Sequence, residues 1–301
     1  MKKICVLWCF CFFYIAFSQE KKLYFDKHNQ ITSNQDSAYY VRKYLYNENQ
    51  KVWNVVDKFR NVYYRKGNST SDPAIGITGY FAYFNRNKEK YLAGNFKNNK
   101  KTGEWTGFKT SRFLQSSKSY YDDYGNKTGN WKTWYEDGTL ADDEFYKNDS
   151  LQGECKYYYK NGQLSADEVY EKGKLISYKL FDEDGKPMED ENYKPKISAS
   201  FKGADTSKKL ANFISKQLEY PEQELWAGIQ GQVRVAFSVS PEGKVQDIDI
   251  VKSVTPNIDK EVSEVLLLTN GKWKPAWSHN RKVTSYYFLP VTFHFQSKKS
   301  K

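Results

Sequence analysis

Gly231-Gln-Val-Arg-Val-Ala-Phe-Ser-Val-Ser-Pro-Glu-Gly243 decides how the last third of this 301-residue chain folds. Val233, Val235, Phe237 and Val239 alternate with Arg234, Ala236 and Ser238, so a strand with one buried face is expected over 232–240. Ser240-Pro-Glu-Gly243 then closes a hairpin, because proline and glycine occupy the places a type I turn prefers. The return strand, 244–253, carries Ile248 and Ile250 on one face and Asp247 and Asp249 on the other.

Upstream, Thr206 or Ser207 caps a helix whose Leu210, Phe213, Ile214 and Leu218 share one face. Tyr220-Pro221 stops it, a turn over 222–227 follows, and Gly228 and Gly231 permit a tight entry to the strand. Downstream, Thr255-Pro256 opens a second helix with the stripe Ile258, Val262, Val265 and Leu266, ended by Asn270-Gly271. Val283 to Phe295 alternates again, with Tyr287, Leu289, Val291, Phe293 and Phe295 toward the helices and Thr284, Tyr286, Phe288 and Thr292 outward. The expected product, over 206–301, is a small α+β domain with a three-stranded antiparallel sheet covered on one side by helices. Such a sheet has open edges that an extended peptide can complete.

Gln217-Leu-Glu-Tyr-Pro221, Gly228-Ile-Gln-Gly231, Ser240-Pro-Glu-Gly243, Trp273-Lys-Pro-Ala276 and Pro290-Val-Thr-Phe293 follow one another in order. Together they resemble the C-terminal domain of TonB-type energy transducers. The resemblance implies a periplasmic protein of Gram-negative bacteria that grips the N-terminal peptide segment of outer-membrane TonB-dependent transporters by strand addition, in energy-coupled transport. It places the peptide on the final strand and on the residues preceding the first. The positions that match are Val283 to Phe295 and Gln217, Leu218, Glu219, Tyr220 and Pro221; on the outward face of that strand, Thr284, Tyr286, Phe288 and Thr292 are the candidate side chains to meet the guest. Inner-membrane motor proteins are a further implied partner. An alternative stays open: a non-catalytic scaffold in which the upstream repeats are the partner-binding surface.

Those repeats begin at Gly79, Gly103, Gly129 and Gly153, spaced by 24, 26 and 24 residues. Aromatic strands such as Tyr157-Tyr-Tyr run into Asp137-Gly138, Asn161-Gly162 and Asp184-Gly185, dipeptides that favour tight hairpin turns. One hairpin buries too little to stand alone, so an all-β array of stacked hairpins is expected. The residues two and five after each glycine fill the seam: Phe81 and Phe84, Trp105 and Phe108, Trp131 and Trp134, Cys155 and Tyr158. A bulge is expected within these strands, since strict alternation parts the two positions. The pattern resembles MORN-variant repeats over 79–185. Residues 19–78, without clean register, read as an irregular cap, and the polar stretch 186–205 as a linker. Cys155, standing where neighbouring repeats carry tryptophan, reads as a core thiol.

At the N-terminus Lys2-Lys3 precede an apolar run from Ile4 to Phe17, with small residues at Ala16 and Ser18. The run falls short of the roughly 18 to 20 residues a membrane span needs, so residues 1–18 are expected to be a removed signal peptide in preference to the alternative, an uncleaved inner-membrane signal anchor. A tether from elsewhere would then be needed to couple the chain to a motor. Removal takes Cys5, Cys9 and Cys11, leaving Cys155 without an intramolecular disulfide partner, and lowers the formal charge from +11 to +9 by loss of Lys2 and Lys3. The lysines are scattered, which argues for a solvated surface over nucleic-acid binding. His28, His279 and His294 are far apart, no Cys-x-x-Cys or phosphate loop exists, and Asp122-Asp123 and Asp142-Asp143 sit in polar hairpins. No enzyme chemistry, metal or cofactor is expected.

Overall fold

The computed structural model describes residues 20–28, 30–59, 63–85, 87–109, 115–203 and 206–294. The expected signal peptide, residues 1–18, and Phe295 lie outside them. In sequence order the first strands are β1 (Lys21–Phe25), β2 (Tyr40–Asn47), β3 (Val52–Phe59), β4 (Tyr63–Ser69) and β5 (Gly79–Phe84). Next come β6 (Lys90–Lys97), β7 (Lys100–Phe108), β8 (Gln115–Tyr121), β9 (Lys127–Trp134) and β10 (Leu140–Lys147). β11 (Ser150–Leu151), β12 (Gly153–Tyr158), β13 (Leu164–Glu171), β14 (Lys174–Phe181) and β15 (Pro187–Met188) complete one long sheet. Each strand lies beside its sequence neighbour, with β11 pairing β10 off the main path. This is the hairpin array expected from the repeats.

The chain divides into two compact units, residues 1–156 with 168–177 and residues 157–167 with 178–301. In the first unit, β1 to β4 form a regular antiparallel ladder where an irregular cap was expected. The alternation was disguised because its inward positions include charges. Arg42, Asp57 and Arg65 lie side by side across β2, β3 and β4 and are buried. Asp57 accepts from Arg42 Nε at 2.8 Å and from the Arg65 guanidinium, Arg42 Nη1 donates to the Pro73 carbonyl, and Arg65 Nη1 donates to the Tyr83 hydroxyl. A buried carboxylate between two guanidiniums holds only while every partner stays in place.

The seam itself is aromatic. Phe81, Phe96 and Trp105 are buried with Val55, Ile77 and Tyr44. Trp105 meets Phe96 edge-on at 5.1 Å, and the ladder continues through Tyr121 and Trp131 to Tyr146. The positions two after the repeat glycines are thus inward, fully so at Phe81, Trp105 and Cys155. The positions five after are not. Phe84, Phe108, Trp134 and Tyr158 are only half-buried, and Phe84 stacks on Tyr64 instead. The register does shift between Tyr83 and Phe84 and between Gly107 and Phe108, yet neither Phe84 nor Phe108 joins the seam cluster. The expected turns also differ. At Asp137-Gly138 only the glycine has positive φ, and Gly138 N–H closes on the Tyr135 carbonyl, a type I turn followed by a left-handed glycine. Paired positive φ occurs instead at Asn98-Asn99 and Asn148-Asp149, which Asn and Asp tolerate.

The second unit adds β16 (Lys196–Ile197), β17 (Ser200–Phe201), α1 (Thr206–Gln217), α2 (Glu222–Trp226), β18 (Gly231–Val239) and β19 (Val245–Lys252). It ends with α3 (Pro256–Leu267), β20 (Trp273–Lys274), β21 (Ala276–Ser278), β22 (Arg281–Val283) and β23 (Ser285–Phe293). The expected turn over 222–227 is therefore a short helix. Thr255 caps α3, accepting the Ile258 N–H, with Pro256 in the first turn as read from sequence. Val233, Val235, Phe237 and Val239 are buried against Ile258, Val262, Val265 and Leu266 of α3 and against Leu210 and Ile214 of α1.

Within this unit two short strands of the expected linker pair with later ones: β16 with β21, and β17 with β20. The β21–β22 turn docks on strand residues of the last repeats. His279 stacks on Tyr157 with ring centroids 3.4 Å apart, Asn280 Nδ2 donates to the Phe181 carbonyl at 2.9 Å, and Arg281 Nη1 to the Tyr158 carbonyl at 2.9 Å.

Candidate functional site

The small sheet has the order β19-β18-β23, which leaves β23 bonded on one side only among the described residues. Its nine residues pair with β18 without interruption, from Ser285 opposite Val239 to Phe293 opposite Gly231. The strand is shorter than expected. Val283 belongs to β22, which pairs β21, and Thr284 falls in the break between β22 and β23.

Which backbone groups face outward follows from one bond. Ser240 N–H donates to the Lys244 carbonyl at 2.8 Å, so residue 240 faces β19. By the two-residue alternation of an antiparallel ladder, Val239, Phe237, Val235, Val233 and Gly231 then face β23. Their partners Ser285, Tyr287, Leu289, Val291 and Phe293 are bonded to β18, and Tyr286, Phe288, Pro290 and Thr292 turn their backbone groups to the open side. Pro290 fits this row because a proline facing β18 would cost a ladder bond. The edge therefore offers the N–H groups of Tyr286, Phe288 and Thr292, and the carbonyls of those residues and Pro290.

The side chains of this row lie on the face away from the helices. Tyr286 is 77% and Phe288 74% exposed, because their neighbours across the ladder are Ser238 and Ala236, too small to cover them. Thr292 is exposed and its hydroxyl accepts from Gln232 Nε2 at 3.2 Å. The opposite row anchors the strand. Tyr287 stacks on Phe237 at 5.4 Å and donates its hydroxyl to the Ala199 carbonyl at 2.9 Å. Burial raises the Tyr287 hydroxyl above its usual range.

The segment 217–221 reaches the Phe293 end of β23. Tyr220 meets the Phe293 ring edge-on at 5.3 Å and donates to the Ile229 carbonyl. Burial, with the Glu224 carboxylate nearby, raises the Tyr220 hydroxyl. Leu218 packs on the core. Glu219 N–H donates to Glu261 Oε1 at 2.8 Å, Gln217 ends α1, and Pro221 precedes α2. With about 3.3 Å per residue, Tyr286 is roughly 23 Å from that end. The structure brings Tyr220 to the end of the strand near Thr292, and leaves Tyr286 and Thr284 at the other. Sequence reading missed Glu222, Asn257, Lys260, Glu261 and Glu264, which with Glu219, Tyr220 and Pro221 line a hollow of about 310 Å³. The signal available for the last two was their three-residue spacing on the polar face of α3.

Among the described residues no three His, Cys, Asp or Glu side chains gather as a metal site. No helix among them is long and apolar enough to cross a membrane. Cys155 is buried.

Residues 216–295 match the family described as Gram-negative bacterial TonB protein C-terminal. Residues 127–148, 151–172 and 174–194 match the MORN repeat variant. Protein TonB from two strains of Helicobacter pylori is 35% identical over 75 residues, 25% of this chain and 25% of the relative. The chain thus spans about a quarter of the length of the curated relatives it matches. Two solution structures of the Helicobacter pylori TonB C-terminal domain align at 23% identity. One has a TM-score of 0.24, covering 30% of this chain and 81% of that one; the other has 0.23, covering 31% and 95%. The chain carries a TonB C-terminal domain, preceded by MORN-variant repeats.

Proposed function

We propose that this is a non-catalytic, TonB-like protein of the Gram-negative periplasm that captures the N-terminal peptide segment of an outer-membrane transporter by strand addition to β23. The observation that carries this reading is the edge of β23, continuously paired to β18 on one side and open on the other among the described residues, with its outward row of Tyr286, Phe288, Pro290 and Thr292. The other edge is a poorer template, because the β18–β19 register shifts twice and Asp247 adopts positive φ there. Thr284 and the segment Gln217, Leu218, Glu219, Tyr220 and Pro221 flank the two ends of the guest. Residues 206–301 form the binding module in this reading, β16 and β17 of the stretch 186–205 pair with it, the repeats of 79–185 precede that stretch, and residues 1–18 direct export.

Magnitudes assign roles. The outward N–H and C=O groups contribute about 1 kcal/mol net each, short of the ~8 kcal/mol of micromolar binding. Tyr286 and Phe288 supply the remainder by covering the guest's side chains on their face, as cross-strand aromatic pairs do. The test is titration of the full chain with N-terminal peptides of outer-membrane transporters and with scrambled versions. Phe288→Pro removes one outward N–H and one ring without touching the β18 ladder. Saturable binding that weakens at least about tenfold in Phe288→Pro is expected. Equal binding of scrambled peptides would reject the proposal.

A further inference from the structure

The array has a second face, opposite the aromatic seam, and on it β3, β4 and β5 leave a hollow of about 460 Å³, within the range of small-ligand sites. Its floor is apolar and small: Val56, Gly67 and Ala82. The hollow exists because Phe81 turns to the seam and Tyr80, its neighbour, turns the other way, 54% exposed. Around the rim stand Asn54 and Asn68, direct cross-strand partners, with Lys66 beside them. The carboxamides of Asn54 and Asn68 and the hydroxyl of Tyr80 have no hydrogen-bond partner among the described residues. No carboxylate lines the hollow, and the Lys66 ammonium is held over the Phe84 ring at 4.9 Å.

We propose that this hollow binds a saccharide bearing an acidic substituent. A sugar ring presents hydroxyls that both donate and accept, and each carboxamide offers both functions in a plane. Two such amides about 5 Å apart across a ladder match neighbouring hydroxyls on one ring. Phosphate alone would ask for donors only, and a flat base would ask for a second ring to sandwich it. The apolar C–H face of the sugar lies against Tyr80, an amphipathic side chain suited to one dry and one wet side. Lys66 selects the acidic substituent by charge.

The site belongs to the first unit and is independent of peptide capture at β23. The full chain is titrated by calorimetry with a tetragalacturonate and with a neutral maltotetraose, for wild type and for Tyr80→Ala, Asn68→Ala and Lys66→Gln. All three positions are exposed, and circular dichroism checks that the variants remain folded. Saturable binding of the acidic sugar is expected, at least about tenfold weaker in Tyr80→Ala and Asn68→Ala. Lys66→Gln is expected to equalise the acidic and neutral sugars. Binding of neither sugar, equal binding of both by wild type, or binding unchanged by Tyr80→Ala in a folded protein overturns the proposal.

Discussion

At Gly94 the missing side chain is the space that Trp105 fills. A Cβ there would stand 2.3 Å from the indole, which is fully buried and donates its Nε1–H to the Asn95 carbonyl at 3.0 Å. Gly94→Ala should therefore destabilise the array by about 1–3 kcal/mol, the usual cost of overpacking, read as a lower denaturant midpoint. Tyr40 gives a pH signature. It stacks on Phe25 at 4.6 Å, and burial pushes its hydroxyl up to about 12. A folded value above the unfolded value near 10 means stability is fully present below about pH 10 and lost as pH rises toward 12. Tyr40→Phe should flatten the alkaline limb of a thermal-melt series between those values; an unchanged limb would assign it to other groups. Cys155 was legible as a core residue from its place in the repeat, whereas Arg42, Asp57 and Arg65 were not, because buried charges imitate a solvated pattern.

Among elements, β18 was readable from its alternation and its turn from Ser240-Pro-Glu-Gly243. The start of β23 was not. The alternation over 283–295 continues through Thr284, but Val283 is claimed by β21, a tertiary pairing that periodicity does not record. The turns misled for a related reason: Asp-Gly and Asn-Gly suit both a two-residue turn and a type I turn closed by glycine, and loop length decides between them. On β23 the missing N–H of Pro290 lies in the outward row, where it breaks the line of donors. Pro290→Ala restores a donor at that point. It should tighten guest-peptide binding by about 0.5–1.5 kcal/mol and raise self-association in sedimentation, since an unbroken edge also accepts a second copy. Unchanged affinity would place the guest elsewhere.

For the whole molecule, period and composition gave the repeat array followed by an α+β domain. They could not show that residues 157–167 pack with the C-terminal elements, since His279, Asn280 and Arg281 reach Tyr157, Ser165 and Tyr158 across more than a hundred positions. No local pattern encodes a contact of that separation. The outward face of β23 was foreseeable from alternation, but its openness is a property of sheet order, which only the assembled fold displays. Amide hydrogen exchange of the full chain, resolved along β23, tests this most directly. An open edge at β23 predicts fast exchange at Tyr286, Phe288 and Thr292, slow exchange at Tyr287, Leu289, Val291 and Phe293, and slowing of the first set on adding an N-terminal transporter peptide. Protection of Tyr286, Phe288 and Thr292 in the free protein, or their unchanged exchange at saturating peptide, would contradict it.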